Sequence, residues 1–469
     1  MTAGIWIDQR HRTEQRCLIC LPGYRNINCG ICAAGKKRYI INNDNDYTNV
    51  IYPSTANTYN QTQGGIITIN KKGANMEKIK GVNLGNWLVL EKWMSPSLFD
   101  GTTAEDEYYL PTQLSREAYE ARIKIHRSEY ITERDFATIK RMGLNTVRIP
   151  VPYFIFGDRE DVPFIGCIDE LDKAFNWAEK YGLKILIDLH TVPWSQNGFD
   201  NGGISGVCKW SQIPEEVDYV VDLLERLAVR YGQREGLFGI QAVNEPITEP
   251  IWSVMNVPVR YPAVDPELAK GSAPNTMEFL REFYDRAFDA IKPHLGEGKM
   301  VVFHDAFRLN DWKDFLTQEK FVGNVVLDTH QYLMIAEAMG CEQTIEGYTE
   351  YIQKNYAEAV AAVEEYVPVV CGEWCIFNSL AVGMDTKGGQ SSLNGIDFND
   401  SKTVSDEERK EIYTRISEEH LKAWDRCSGY FYWTYKMLLD PTNEAAWDGW
   451  DCWDLAKCVD QGWFPEKAW

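Results

Sequence analysis

Residues 168–190 read IDELDKAFNWAEKYGLKILIDLH, and this stretch contains the pattern that decides the fold. Its first part places apolar residues at helical spacing and ends at Gly182, a residue type that commonly terminates helices. Its second part, 184–190, is a short and nearly continuous apolar run, which is typical of a strand buried on both faces. A helix followed directly by such a strand is the repeating unit of a parallel sheet covered by helices.

The same unit recurs along the chain. ITERDFATIKRMG at 131–143 is another helical pattern that ends at a glycine just before an apolar run. Eight such units in about 390 residues favour a (β/α)8 TIM barrel, an α/β fold, with a single catalytic domain and long βα loops. A doubly wound sheet typically has a G-x-G-x-x-G turn after its first strand, and GVNLGNW at 81–87 does not match it. The predicted strands are 79–84, 145–150, 184–190, 237–244, 300–305, 324–330, 367–373 and 428–434.

The first 75 residues differ in composition from the rest. They contain nine Lys and Arg against four Asp and Glu, a net charge of +5, whereas the whole chain of 469 residues carries −21. We therefore expect residues 1–75 to be a non-catalytic leader, poorly packed or upstream of the natural start. Residues 76–469 are then the barrel, with a net charge of −26.

The leader contains two C-x-x-C pairs, formed by Cys17 with Cys20 and by Cys29 with Cys32. Four thiolates at close spacing can bind a zinc ion, so a small zinc knuckle is one hypothesis. The loop between the pairs is shorter than usual, and residues 41–75 form an Asn-, Thr- and Gly-rich tract with little to pack. These features favour a leader without a metal.

The acidic charge limits the partners of the barrel. A negative field repels nucleic acid and anionic membrane surfaces, so we expect neither as a partner. No stretch reaches about 18 consecutive apolar residues, and the N-terminal sequence lacks the basic start and apolar run of a secretory signal, which predicts a cytoplasmic protein. Sixteen Trp and 24 Tyr offer flat faces that stack on neutral rings, sugars included, so a neutral ligand fits best.

Polar side chains concentrate at the carboxyl ends of the predicted strands, where barrel enzymes have their active sites. Glu245 lies in an N-E-P sequence after the fourth strand and Glu373 in a G-E-W sequence after the seventh. Glycoside hydrolysis requires two facing carboxyl groups, one as acid/base and one as nucleophile or base, so this pairing favours a glycosidase. The other candidates are Asn83, Glu91, Arg148, His190, Asn244, His304, Asp305, His330, Tyr332 and Trp433.

Seven segments, in order, make the chain similar to glycoside hydrolase family 5, in its branch of exo-β-1,3-glucanases. The resemblance runs from about residue 78 to the C-terminus. It implies a retaining hydrolase that removes glucose from β-1,3-glucan or related β-glucosides by double displacement, with no cofactor and no metal. The segments are GVNLGNWLVLEKWMSPSLF, NTVRIPVPYF, DLHTVPWSQNGFDNGG, VNEP, DTHQY, CGEW and GYFYWTYK.

The resemblance also implies a role for each site residue. Glu245 is the general acid/base and Glu373 the nucleophile, with their carboxyl groups about 5–5.5 Å apart. Arg148 keeps Glu373 ionised by lowering its pKa, whereas the pKa of Glu245 is raised so that it carries a proton. Asn244 donates to the sugar 2-hydroxyl, and Trp433 is the floor on which the glucose ring stacks. The implied substrate-binding residues are Glu91, Arg148, His190, Phe199, Asp200, Asn201, Asn244, His330, Tyr332 and Trp433.

The chain departs from this family at the entrance to the site. Trp194 occupies a turn that is usually Gly-rich, and Ile335 stands where a Phe normally faces Phe199 across the entrance. Long segments at 250–276 and 381–405 are placed where they can close one end of a groove. A blocked groove favours exo action, which releases one glucose at a time.

Three alternatives stay open. One is a family 5 enzyme with another substrate: a broad β-glucosidase, a β-1,6-glucanase or a glycolipid β-glucosidase. A second is a metal-dependent barrel hydrolase that uses His190, His304, Asp305 and His330 at the strand ends. The third is a sugar-binding protein without catalysis, although both glutamates are present.

Overall fold

The computed structural model describes residues 17–19, 27–29, 76–382, 404–439 and 448–465. The chain separates into two compact units, Met1–Asn70 and Lys71–Trp469. In the first unit, Cys17–Ile19 pairs antiparallel with Ile27–Cys29. The side chains on which the zinc hypothesis depends lie outside the described residues, and the boundary between residues 75 and 76 stays a prediction.

Eight parallel strands form a closed barrel, which confirms the predicted (β/α)8 fold. Each strand overlaps one of the eight predicted runs. The last strand pairs with both the first and the seventh, and this pairing closes the barrel. The strands are β1 (Ile79–Asn83), β2 (Thr146–Val151), β3 (Lys184–Leu189), β4 (Leu237–Gln241), β5 (Met300–His304), β6 (Val325–His330), β7 (Val369–Trp374) and β8 (Gly429–Tyr432).

The inside of the barrel is apolar at the strand starts and polar at the strand ends. On β3, Leu186 belongs to a buried apolar cluster, and the next residue on the same face of the strand is Asp188. A glycine at 81 is required in this interior, because a Cβ atom there would lie 2.3 Å from the ring of Phe431. The interior apolar cluster contains Ile79, Leu186, Met300, Val302, Val326, Val370 and Phe431.

Helices surround the barrel and begin and end where the sequence signals indicate. The third helix has a capping box formed by Thr132 and Asp135, and the fourth ends at Gly182 in the left-handed conformation. The α-helices are α1 (Leu110–Gln113), α2 (Arg116–Glu129), α3 (Glu133–Arg141), α4 (Ile168–Tyr181), α5 (Pro214–Tyr231), α6 (Glu249–Val254), α7 (Val257–Arg260), α8 (Pro266–Ala269), α9 (Met277–Ile291), α10 (Lys313–Leu316), α11 (Leu333–Ala338), α12 (Ile345–Tyr351), α13 (Glu358–Glu364), α14 (Ser379–Val382), α15 (Asp406–Trp424) and α16 (Leu455–Asp460).

Shorter helical turns occur mainly in the loops. Between α12 and α13 the chain forms a π-helix at Ile352–Ala357. The 3₁₀ turns are Lys92–Met94, Pro96–Phe99, Asp200–Gly202, Trp210–Gln212, Lys292–His294, Leu309–Trp312 and Asp448–Trp453. Within the described part of the chain, none of the helices has both the length and the apolar character needed to span a bilayer.

The long segment after β4 is helical, and we call residues 249–269, which include α6, α7 and α8, the cap. The cap backbone lies directly on the loop that follows β3. Gly206 has a φ of +75°, and a Cβ atom there would lie 2.5 Å from the backbone nitrogen of Ala263. Lys209 donates a hydrogen bond to the carbonyl of Leu268 in α8. Most of the other long segment, at 381–405, lies outside the described residues.

Candidate active site

The guanidinium of Arg148, in the middle of β2, lies among the polar groups inside the barrel and is fully buried. Because β2 pairs with β1 and β3, this side chain reaches polar groups of those two strands, and it also contacts polar groups of β4, β7 and the loop after β4. Every nitrogen of the guanidinium has an acceptor, so the group is rigidly held. The acceptors are Gln241 (3.0 Å), Asn83 (2.9 Å), Glu373 (2.8 Å), Asn244 (2.7 Å) and Asp188 (3.1 Å).

His330 lies between the two glutamates that the sequence singled out. Its Nδ1 is 2.8 Å from Oε1 of Glu245 and 3.5 Å from Oε2 of Glu373. The two carboxylate oxygens are therefore at most 6.3 Å apart, the sum of those two distances. Both glutamates are almost completely buried, at 5% and 3% exposed. The structure thus brings the predicted carboxyl pair together around one imidazole.

The pKa values of the pair are the reverse of the sequence prediction. Burial raises the pKa of Glu373, and the nearby charge of Glu245 raises it further, against the opposing effects of His330 and Arg148. Burial also acts to raise the pKa of Glu245, but hydrogen bonds from His330 and Asn201 outweigh it and lower that pKa. The prediction was wrong because it considered Arg148 alone, whereas His330 is the cation closest to Glu245.

His330 is the proton carrier of this arrangement. Burial disfavours its charged form, but Glu373, Asp328 and Glu245 surround the ring and raise its pKa well above the usual value. The proton between His330 Nδ1 and Glu245 Oε1 is therefore held at neutral pH. A protonated imidazole hydrogen-bonded to Glu245 provides a proton within reach of that carboxylate, which is a state from which acid/base chemistry can begin.

Two aspartates that the sequence reasoning did not consider orient the two histidines. Asp188 is 2.6 Å from Nδ1 of His190, and Asp328 is 3.2 Å from Nε2 of His330. Each aspartate precedes its histidine by two residues, so both side chains of a pair face the inside of the barrel. The repeated D-x-H sequence, in DLH and DTH, was the signal that could have identified them.

Trp433 and His190 form a flat wall beside the carboxyl pair. Their rings are stacked, with centroids 5.6 Å apart and an angle of 11° between the planes. Asn244 accepts from Arg148 through its Oδ1, which leaves its amide nitrogen as a donor near His190, at 3.5 Å from Nε2. Such a wall with an adjacent donor can stack one face of a sugar ring and bind one of its hydroxyls.

Tyr332 and Glu91 lie in the part of the site that also contains Trp93 and Trp453. Tyr332 donates its hydroxyl to Oε2 of Glu373 at 2.8 Å. Glu91 accepts a hydrogen bond from the indole of Trp93 at 2.9 Å, and burial raises its pKa well above the usual value. Trp453 packs against the rings of both Trp93 and Tyr332, at 5.4 and 5.3 Å. The sequence prediction missed Trp93 and Trp453, although Trp93 lies only two residues after Glu91.

The loop after β3 places three further predicted residues on the Glu245 side of the site. Asn201 donates to Oε2 of Glu245 at 2.8 Å. Asp200, next to it, is half-buried, and desolvation raises the pKa of its carboxyl group. Phe199, which the sequence predicts at the entrance, is only 4% exposed, because Val257 and Tyr261 of the cap pack against it. Phe199 therefore supports the cap rather than standing free at the entrance.

Several non-glycine residues around the site have positive φ angles. They include Glu245 itself (43°) and the adjacent pairs Trp194 and Ser195 (64° and 57°) and Ala306 and Phe307 (55° and 57°). This conformation is unfavourable for residues with a Cβ atom and persists only where the surrounding contacts enforce it. Such residues cluster at functional sites, as they do here.

Glu245, His304 and His330 have ligand atoms within 4.8 Å of one another, which is the spacing of a metal site. The donor chemistry does not fit one. The backbone N–H of Ala306 donates to Nδ1 of His304, so the ring proton of the neutral His304 is on Nε2. Neither nitrogen of His304 then offers a free lone pair to a metal ion. The metal-dependent alternative thus loses one of its ligands.

The comparisons with known proteins agree with this geometry. A family model described as cellulase (glycosyl hydrolase family 5) matches residues 112–405. A glucan 1,3-beta-glucosidase of Lachancea kluyveri is 30% identical over 423 residues, which cover 84% of this chain and 87% of the relative. A glucan 1,3-beta-glucosidase of Kluyveromyces lactis is 32% identical over 427 residues, covering 83% and 89%.

Among solved structures, the fold is similar to that of a rutinosidase from Aspergillus niger. The TM-score is 0.61 at 20% identity, and the match covers 82% of this chain and 98% of the other. The family match covers more than half of the chain and includes the strand ends that carry Arg148, Glu245 and Glu373. The chain therefore belongs to glycosyl hydrolase family 5 and is a glycoside hydrolase.

Proposed function

We propose that the enzyme removes glucose from β-1,3-glucan or related neutral β-glucosides, with retention of configuration. The observation that carries the proposal is the placement of Glu245 and Glu373 around His330, beside the stacked rings of Trp433 and His190. Carboxyl groups about 5–5.5 Å apart belong to retaining enzymes and wider pairs to inverting ones, and the oxygens here are at most 6.3 Å apart. The names of the two fungal relatives support the choice of a β-1,3-glucan.

Each residue of the pair has one task in each step. In the first step Glu373 attacks the anomeric carbon, the bond to the leaving oxygen breaks, and that oxygen takes a proton from Glu245. The hydrogen bond between His330 and Glu245 supplies this proton. In the second step water attacks the anomeric carbon, the bond to Glu373 breaks, and the proton of the water passes to Glu245 and through the same hydrogen bond back to His330, which restores the starting state. Arg148 and Tyr332 hold Glu373 in line for both steps.

The sugar-binding roles follow from the same geometry. Trp433, stacked on His190, is the platform for the glucose ring, and Asn244 donates to the 2-hydroxyl. Glu91, oriented by Trp93, binds hydroxyls at the far end of the ring. The net charge of −21 favours a neutral substrate over an anionic one. The cytoplasmic location predicted from the N-terminal sequence stays a prediction.

The nucleophile assignment is tested with Glu373→Ala on an aryl β-glucoside. We expect kcat to fall by at least about 10⁴-fold, since the covalent step is lost. Glu365→Ala, at an exposed glutamate that precedes the opposite end of β7, is the control and keeps wild-type kcat. Full activity of Glu373→Ala would contradict the assignment.

The substrate and the stereochemistry are tested together. Purified enzyme is incubated with laminarin, gentiobiose, cellobiose and a steryl glucoside, and the first sugar anomer released is identified by NMR. We expect β-glucose as the first product and laminarin as a substrate. If α-glucose forms first, the retaining mechanism is wrong. If only the steryl glucoside is hydrolysed, the glycolipid alternative replaces the β-1,3-glucan.

A further inference from the structure

A short loop segment, residues 105–107, lies against the part of the chain that carries Glu91, and we call it the bridging segment. Asp106 at its centre pairs with Glu91 in an isolated antiparallel β-bridge. Next to this pair, the ammonium group of Lys92 lies 2.8 Å from Oε1 of Glu105. Two successive residues of the Glu91 segment therefore have their partners in the bridging segment.

The third residue of the bridging segment, Glu107, is held by buried contacts. Its Oε2 accepts a hydrogen bond from the backbone N–H of Leu90 at 3.4 Å. Its Oε1 lies 3.7 Å from Nη2 of Arg127 in α2, and both side chains of this ion pair are buried. The bridging segment is thus fixed both to the Glu91 segment and to α2.

The carboxylate of Asp106 binds a different part of the site, the loop that follows β3. Its Oδ2 accepts from the backbone N–H of Ser205 at 2.8 Å, and its Oδ1 accepts from the backbone N–H of Tyr109 at 3.3 Å. Four residues before Ser205, Asn201 of the same loop donates to Glu245. Asp106 therefore joins the bridging segment to the loop that contacts the acid/base.

The charge of Asp106 is unfavourable for the fold itself. The residue is 1% exposed, and none of the ion pairs found in the described part of the chain includes its carboxylate. Burial raises the pKa of Asp106 to about 6, and the charge of Asp200 raises it further, against the hydrogen bonds from Ser205 and Tyr109. A neutral side chain would be less costly, because a buried charge without a cation is destabilising. Such groups are typical of functional sites.

The carboxyl group of Glu91, on the other strand of the β-bridge, lies in the site. Asn86 holds the backbone of Glu91, since its Oδ1 accepts from that N–H at 3.0 Å, and the indole of Trp93 holds the carboxylate at 2.9 Å. Burial and the nearby charges of Asp200 and the two catalytic glutamates raise the pKa of this carboxyl group. A shift of the bridging segment would therefore move a carboxyl group that lies close to the catalytic pair.

We infer that Asp106 is a positioning residue, whose carboxylate fixes the place of Glu91 relative to Glu245. The inference rests on the proposed function, in which Glu91 binds hydroxyls of the glucose ring. Asp106 acts through Glu91 and not on the sugar itself. A binding group has to be held within about 0.5 Å of its productive position. Loss of the contact with Ser205 therefore lowers activity although every group that binds the substrate is still present.

A double-mutant cycle tests the inference with kcat/KM for an aryl β-glucoside. Asp106→Ala removes both acceptor oxygens, and we expect it to lower kcat/KM about tenfold, the size of one hydrogen bond to a charged group. In a Glu91→Ala background the same change should lower kcat/KM less than about twofold, because no carboxylate is left to position. Asp106→Asn keeps one acceptor oxygen and should show an intermediate loss.

Two measurements separate positioning from folding. Glu105→Ala changes the exposed neighbour of Asp106 in the same segment and breaks its ion pair with Lys92, and it should keep the wild-type kcat/KM. Thermal melting is recorded for every variant. Asp106→Asn should melt close to the wild-type temperature, since it removes a buried charge without a change of size.

The outcomes are distinct. An equal loss of kcat/KM in the wild-type and Glu91→Ala backgrounds indicates a general structural role and overturns the inference. A wild-type kcat/KM in folded Asp106→Ala also overturns it. If Asp106→Ala does not fold, Asp106→Asn is taken through the same cycle, and the same two results count against the inference. A wild-type enzyme that hydrolyses no β-glucoside contradicts the proposed function, and the role of Asp106 falls with it.

Discussion

Replacement of Arg148 by methionine is the sharpest test of the electrostatics of the site. The guanidinium is fully buried and contacts Glu373 at 2.8 Å and Asp188 at 3.1 Å, with Asp328 at 4.0 Å. Methionine fills much of the same volume but has neither a charge nor a donor. The variant Arg148→Met therefore leaves three buried carboxylates without the cation that they share.

The expected loss of folding free energy is large. Removing one partner of a buried ion pair typically costs about 3–5 kcal/mol, because the remaining charge is buried without compensation. A domain is stable by about 5–15 kcal/mol, so the variant folds but is markedly weakened. Arg148→Lys keeps the charge and loses most of the hydrogen bonds, so its loss should be smaller. The surface control is Arg226→Met, which breaks an exposed ion pair with Asp158 and should cost less than about 1 kcal/mol.

The pH dependence gives the second readout. Asp328 is buried, but His330 and Arg148 more than offset this and lower its pKa in the wild-type protein. Without Arg148 the folded-state pKa of Asp328 rises toward or above its unfolded value of about 4, and the pKa of Glu373, which is already raised in the wild type, rises further. A carboxylate with a raised folded-state pKa destabilises the fold when ionised, and the penalty disappears as it becomes protonated. The difference between wild type and Arg148→Met should therefore shrink as pH falls from about 7.5 to about 5.

Urea denaturation at several pH values measures both effects. A loss of less than about 1 kcal/mol in the unfolding free energy of Arg148→Met at neutral pH would refute the role of Arg148 as the cation shared by these carboxylates, since removing a buried ion-pair partner costs more than that. A difference that stays constant over the pH range would also contradict it, because the lost stability would then come from packing rather than from charge.

Three further predictions concern other parts of the molecule. Asn201→Ala removes a donor to ionised Glu245, so the pKa of Glu245 rises and the alkaline limb of kcat/KM should move to higher pH; an unchanged pH–rate profile would contradict this. Gly206→Ala places a Cβ atom 2.5 Å from the backbone of Ala263 at a φ of +75°, and thermal denaturation should show a loss of about 1–3 kcal/mol; a wild-type melting temperature would show that the cap can shift. A chain that starts at Met76 should melt and hydrolyse an aryl β-glucoside as the full chain does, and reduced activity would assign the leader a role.

Many residues of the site could be predicted from the sequence, because the active sites of (β/α)8 barrels lie at the carboxyl ends of the strands. Glu245, Glu373 and Arg148 were identified because each closes an apolar run, and the fold brings the ends of all eight runs to one side. The D-x-H pairs of β3 and β6 were also readable, since a spacing of two residues puts both side chains on one face of a strand.

The packing of the cap against the loop after β3 could not be predicted from local sequence patterns. The sequence predicted a long segment after β4 but not its packing. The contact of Tyr261 with Phe199 joins residues that are 62 positions apart in two different loops. No local pattern encodes such a contact. It depends on the absence of a side chain at Gly206, which allows the backbone of Ala263 to lie against the loop after β3.

The sequence by itself determined the barrel, the order of its strands and the residues at their ends, because these follow from local periodicity and from short motifs. The tertiary structure alone decided the charge states and the entrance. His330 reverses the expected pKa order of Glu245 and Glu373 because it lies within 3.5 Å of both, although it is 85 residues from one of them in the chain. Electrostatic shifts and side-chain walls depend on distances in space, and only the packed barrel sets those distances.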